Sequence, residues 1–185
     1  MRIRYNAPVT LTFALAATLI LLLDQFFRLG LIPALFVVPG SNAFTLSDPI
    51  NFIRLFSHVL GHVNWEHLLG NFAIILLIGP ILEEKYGAFS MLTMIITTAF
   101  VTGVLNVLLF PTGLLGASGV VFMMILLASF TNIRNGEIPL TFILILILYL
   151  AREFLSSFQE NEISEFAHIV GGLCGSMFGF IRTRR

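Results

Sequence analysis

The sequence predicts an all-α membrane protein, a bundle of six transmembrane helices, and three observations carry that reading. Of the 185 residues 57% are hydrophobic and 11% charged, and the mean hydropathy is +0.97, a composition outside the range of soluble domains. Six apolar runs recur along the chain, most near the ~20 residues that cross a bilayer as a helix. The Lys and Arg residues are also sorted by side. With the amino terminus inside, Arg2, Arg4, Lys85, Arg134, Arg182, Arg184 and Arg185 face the cytoplasm and Arg28, Arg54 and Arg152 face out, the bias expected for both termini inside.

The runs are Val9 to Phe27, Asn64 to Leu82, Phe89 to Leu109, Ser118 to Thr131, Pro139 to Leu155 and Ile163 to Ile181. The first is flanked by Arg2 and Arg4 as a signal peptide would be. It is nevertheless long, reaches Asp24 and lacks a small-residue cleavage pattern, so it reads as a retained span. Between Arg28 and Val63, the stretch Leu31 to Val38 is too apolar for water, yet too short and too broken by Pro33 to span. This first loop is expected to lie partly in the outer leaflet. The fourth run begins late, so Phe110 to Gly116 must descend into the protein as irregular backbone, which a membrane tolerates only where protein or a wet cavity surrounds it. A short, buried fourth helix beside a water-filled cavity open to the outside follows. Phe154 to Glu165, with Glu160, Glu162 and Glu165 among Ser156, Ser157, Gln159 and Asn161, has the composition of a solvent-facing loop. One membrane domain over residues 1–185 accounts for the whole.

Against that apolar background a few polar residues stand out. Gly116-Ala117-Ser118-Gly119 opens the fourth span and His168 falls in the sixth, fifty residues on. Ionisable groups inside membrane spans are costly and default to function. The second, fourth and sixth spans run from outside to inside, so depth can be compared at ~1.5 Å per residue. Ser118 to Asn132 and His168 to Arg182 are each fourteen steps, roughly 21 Å, while Asn71 to Glu83 is roughly 18 Å and His67 to Glu83 roughly 24 Å. All four groups lie at one level, a few ångströms under the outer surface.

The residue types at that level suit acyl chemistry. A serine hydroxyl is a weak nucleophile until a base takes its proton, and His168 is the available base. A tetrahedral intermediate needs hydrogen-bond donors, for which the candidates are His67, the Asn71 amide one turn on, and the backbone N–H of Ser118. The start of a helix adds unpaired N–H groups and a favourable dipole. Gly116 and Gly119 let a substrate backbone approach. No carboxylate lies at the depth of His168, which favours a dyad over a Ser-His-Asp triad. Gly171, Gly175 and Gly179 recur at four-residue spacing on the sixth span, a small-residue face that admits a neighbouring helix, with the fourth the natural partner.

Other readings are weaker. A lone serine in a membrane helix commonly bonds a backbone carbonyl, but the flanking glycines and a histidine at matched depth argue for more. His58, His62 and His67 suggest a metal, yet no carboxylate or cysteine completes a ligand set, and structural hydrogen bonding is the better reading for His58 and His62. The helix H-E-x-x-H is absent, since Glu66 follows Trp65, itself an interfacial anchor. Cys174 has no partner in the chain and reads as a small packed hydrophobe. Glu83, between Gly79 and Gly87, reads as a structural acceptor for loop N–H groups at the cytoplasmic end, and Arg54 as a donor to first-loop carbonyls. Balanced charge, ten basic against ten acidic residues, leaves no footprint for nucleic acid. A transport pathway would distribute polar groups through the full depth of the bilayer, whereas these cluster on one side.

On these residues the chain resembles the rhomboid intramembrane serine proteases, in the short, membrane-only form of the bacterial GlpG type. The motifs are Arg54-Leu55-Phe56-Ser57-His58 leading to His62, His67-Leu68-Leu69-Gly70-Asn71, Gly79 to Glu83 to Gly87, Gly116-Ala117-Ser118-Gly119, and Ala167-His168 followed by Gly171. The resemblance implies a six-helix rhomboid-like bundle and an endopeptidase that cuts in or near transmembrane segments of other membrane proteins, with small residues favoured before the cut. It implies Ser118 as nucleophile, His168 as general base and then acid, and His67 with Asn71 as oxyanion stabilisers. A gating fifth helix is also implied, as is no metal or organic cofactor. The bacterial inner membrane is the implied location, with the site opening to the periplasmic side. Two positions depart from the family's habit. Ile53 precedes Arg54 where Trp is common, and Phe122 replaces a frequent Tyr one turn after Ser118, which keeps stacking on His168 and loses a hydroxyl. A non-catalytic rhomboid-like chaperone or dislocation factor is the alternative, sharing fold and glycine packing without needing the Ser/His pair.

Overall fold

A computed structural model describes residues 4–131, 140, 143–144, 147–148 and 162–183 of the chain. Among them there is no β-strand, and the helices are α1 (Pro8–Phe27), α2 (Pro49–Ser57), α3 (Trp65–Tyr86), α4 (Ala88–Leu109), α5 (Ser118–Thr131) and α6 (Glu162–Thr183). The helices α1, α3 and α4 are each long and apolar enough to cross a membrane. By contrast α5 has 14 residues, about 21 Å of helix against a hydrocarbon core of about 30 Å. Of the predicted span Pro139 to Leu155, only Leu140, Ile143, Leu144, Ile147 and Leu148 are described, and they are helical. The gating role expected of that span and the loop after it falls outside the described residues, except that Glu162 to Glu165 already belong to α6.

The shortest of these long elements sits at the centre. Val120, Val121, Met123, Met124 and Leu127 of α5 are fully buried, and α3, α4 and α6 all pack on it. A helix apolar on every side has no face to give to water or headgroups, so its place is the middle of the bundle. Its 14 residues do not need to span because its amino end is met within the protein by residues 110–117. That irregular segment is stitched to the first loop. Val38 and Leu114 exchange both backbone hydrogen bonds at 3.0 Å, Ser41 N–H donates to Phe110 O at 2.8 Å, and Gly116 N–H donates to His58 O at 3.0 Å. Asn106, fully buried on α4, donates its side-chain amide to Thr112 O at 3.0 Å. Backbone that would be untenable in lipid is thereby satisfied.

The first loop contains more regular structure than the sequence reading allowed. Ile32–Phe36 forms a single π-helical turn, Pro49–Ser57 forms α2, and His58–Leu60 a 3-10 turn. Asp48 caps α2 by accepting from Ile50 N–H at 3.0 Å, with Pro49 in the first turn, a start signal visible in the sequence as Asp-Pro before an apolar run. Arg54 holds the loop together as expected, its guanidinium donating to Ala34 O at 3.0 and 2.6 Å and to Asn51 Oδ1 at 2.7 Å. Ser57 Oγ adds a bond to Leu35 O at 2.5 Å.

Glu83 corrects an expectation. Its partners are not loop N–H groups but the first turn of α1: Val9 N–H, Thr10 N–H and the Thr10 hydroxyl, each at 2.8 Å. Residue Ala7 at the N-cap offers no side chain to the orphan donors of α1, so a carboxylate from another helix caps them in its place. Gly79 makes the approach possible, because a Cβ there would lie 2.6 Å from Thr10 Cγ2. Removing this buried acceptor leaves two helix-end N–H groups unpaired at the edge of a membrane. Glu83→Ala is therefore expected to destabilise the fold by about 2–3 kcal/mol, seen as a lower melting temperature in detergent, and Glu83→Gln, which keeps one acceptor oxygen, by less.

Candidate active site

The polar residues expected at one depth are carried by three elements that converge on the amino end of α5. His67 and Asn71 lie one turn apart on α3, which starts at a cap of known kind: the Asn64 side chain accepts from His67 N–H at 2.8 Å. Ser118 opens α5, and His168 lies in the second turn of α6, toward its amino end. His67 and Ser118 are partly exposed, while Asn71 and His168 are buried.

Glycines set how close these elements come. At Gly116 the backbone has φ +116°, and a Cβ would lie 2.6 Å from His67 Cε1 and 2.8 Å from Nε2. Both the dihedral and the space exclude a side chain, so the His67 ring rests on the segment that leads into Ser118. At Gly171 on α6 a Cβ would lie 2.0 Å from Gly119 O, and at Gly175 2.2 Å from Met123 O. The glycine face of α6 is thus pressed backbone to backbone against α5. A Cβ on Gly119, the neighbour of Ser118, would sit 3.2 Å from Ala167 O, the neighbour of His168. One turn along α5, Phe122 stacks on the His168 imidazole with ring centroids 4.4 Å apart and planes 14° from parallel. Phe lacks the hydroxyl of a tyrosine, so its contribution to His168 is ring contact alone.

His58 and His62 have separate partners. His58 Nε2 lies 3.3 Å from the Thr102 hydroxyl, which itself donates to Thr98 O at 2.8 Å and so receives the imidazole proton. His62 Nε2 lies 3.1 Å from Asn71 Nδ2, and its Nδ1 lies 3.3 Å from Leu60 O. Among the described residues no three His, Cys, Asp or Glu side chains converge as metal ligands would. The contacts of His62 with Asn71 and of His58 with Thr102 were not anticipated from the sequence. For the second, the four-residue spacing of Thr98, Thr102 and Asn106 in an apolar span was the available signal; for the first there was none.

Burial pushes the His58 imidazole down to about 4, against hydrogen bonding with backbone, and pushes His62 to about 4 with the neighbouring His67 adding to the effect. The unfolded chain takes up these protons near its ordinary value of about 6.5 and the folded chain only near 4. Stability is therefore complete above about pH 6.5 and is lost as the pH falls toward 4, by about 3 kcal/mol per histidine. Melting in detergent at pH 7 and pH 4.5 reads this directly; equal midpoints at the two would refute it.

Fold and site together define an integral membrane protein, a helical bundle with a serine and a histidine on adjoining, tightly packed helices. The Rhomboid domain family matches residues 49–185, and the chain belongs to that family. It is 26% identical over 134 residues to "Rhomboid protease GlpG" of Haemophilus influenzae, covering 71% of this chain and 70% of that protein. It is 29% identical over 140 residues to "Rhomboid-related protein 1" of Caenorhabditis elegans, covering 69% of this chain and 39% of that protein.

Proposed function

We propose that the chain is an intramembrane serine endopeptidase that cleaves transmembrane segments of other membrane proteins through a Ser118-His168 dyad. In this reading His168 removes the Ser118 proton, Ser118 Oγ attacks the scissile carbonyl, and the oxyanion is met by Ser118 N–H, the Asn71 amide and His67. His168 then protonates the leaving amine. Water, activated by the same imidazole, attacks the acyl-enzyme and releases Ser118. The observation that carries the proposal is the backbone contact of α5 and α6 at Gly119, Ala167 and Gly171, with Phe122 stacked on His168, since a dyad needs its two helices held at close and fixed separation. Gly116 supports the oxyanion assignment by bringing His67 against the segment before Ser118. The single membrane domain sits in the bacterial inner membrane with both termini cytoplasmic and the site facing the periplasm, and its partners are lipid and single-span substrates. No metal, organic cofactor or nucleic acid takes part.

The test is incubation of the purified chain in liposomes with a single-span substrate bearing small residues beside a helix-weakening stretch. One discrete cut is expected, blocked by a serine-directed phosphonate whose adduct maps to Ser118. A substrate left intact, or an adduct at another residue, defeats the assignment.

A further inference from the structure

The geometry points to His62 as a positioning residue that fixes which end of the Asn71 carboxamide faces the nucleophile. The inference rests on the reading of Asn71 as an oxyanion donor. A carboxamide has a donor end and an acceptor end of nearly equal shape, and only the first can stabilise an oxyanion. An unrestrained Asn71 could turn its oxygen toward the developing charge and oppose it. His62 removes that freedom by a short relay. Leu60 O, 3.3 Å from His62 Nδ1, can only accept, so in the neutral ring the proton resides on Nδ1 and Nε2 carries a lone pair. That lone pair lies 3.1 Å from Asn71 Nδ2, so the amide nitrogen is drawn to the histidine. One N–H is spent on the ring, and the other remains for the substrate.

The ring itself has little freedom. His62 is fully buried, with Phe72 at 5.6 Å and His67 at 5.0 Å between ring centroids. A flipped imidazole would give up the Leu60 bond and place a C–H against Asn71. His62 touches both Asn71 and His67, and a cycle against Asn71 isolates the part of its effect that passes through the carboxamide. A residue that only anchored its loop would act on stability, and equally whether or not residue 71 carries an amide.

The experiment is a double-mutant cycle of His62→Ala and Asn71→Ala, with kcat, KM and melting temperature measured in liposomes or detergent on the same single-span substrate. Asn71→Ala is expected to lower kcat about 100-fold, as loss of an oxyanion donor does. His62→Ala should lower kcat roughly tenfold with KM little changed, and should cost nothing further when Asn71 is already Ala. His62→Gln, whose carbonyl can accept from Asn71, should recover most of the loss. Should His62→Ala fail to fold, His62→Met, which fills the space with only a weak acceptor, takes its place in the cycle. An unchanged kcat in the single variant, or an equal loss in both backgrounds, overturns the positioning role. Parent cleavage abolished by Ser118→Ala secures the protease reading separately; a parent without activity, or one matched by Ser118→Ala, overturns both.

Discussion

Ser118→Ala and His168→Ala are each expected to lose more than about 10³-fold in cleavage rate, at least ~4 kcal/mol of transition-state stabilisation, with folding retained. Ser118→Ala removes little packing, and His168→Ala removes one buried ring but none of the helix contacts. The serine is only partly buried, and loss of the imidazole leaves Phe122 without its ring partner but leaves untouched the glycine contacts that hold α5 to α6. The two losses should not add, because a nucleophile without its base and a base without its nucleophile fail at the same step. The double variant should therefore be about as slow as either single one. Cleavage of a single-span substrate at parental rate by both single variants would end the serine-protease reading, and additive losses would mean that the two side chains act in separate steps.

Helix positions and glycine spacing were legible residue by residue, and contacts that depend on a partner in another element were not. Composition and the apolar runs placed the helices, and α5 has the bounds expected from Ser118 to Thr131. The late start of that helix was legible because length is counted in residues: 14 residues do not cross a bilayer. The glycine spacing on α6 was legible because a helix repeats its face every three to four residues. Glu83 was read as a structural acceptor and given the wrong partner, since nothing local says that α1 begins without a cap of its own. The helix α3 runs on to Tyr86, past the predicted end at Leu82 and through Pro80, because the Glu83 clasp and packing against α1 outweigh the local signal to stop. The pairing of His62 with Asn71 joins a loop to the helix that follows it, nine residues on. No periodicity announces it.

Gly171→Ala is expected to slow cleavage about 100-fold although it adds one methyl group and touches no reacting atom. The new Cβ would lie 2.0 Å from Gly119 O, 2.7 Å from its carbonyl carbon and 2.9 Å from its Cα. All three are backbone atoms, so no side chain can swing aside, and the helices themselves must part by about an ångström. Displacement on that scale between catalytic groups costs about two orders of magnitude, and overpacking a tight contact costs roughly 1–3 kcal/mol of stability besides. Gly172→Ala is the matched control. A Cβ there would meet Leu126 Cγ at 3.6 Å and Phe122 Cδ1 at 4.0 Å, ordinary contacts that a side chain can accommodate, while exchanging a helical glycine for alanine gains up to about 1 kcal/mol of helix propensity. Adjacent substitutions of identical chemistry should thus move stability in opposite directions, and only the first should slow the reaction. Equal activity in the two variants would show that the approach of α5 to α6 is not what sets the reacting geometry.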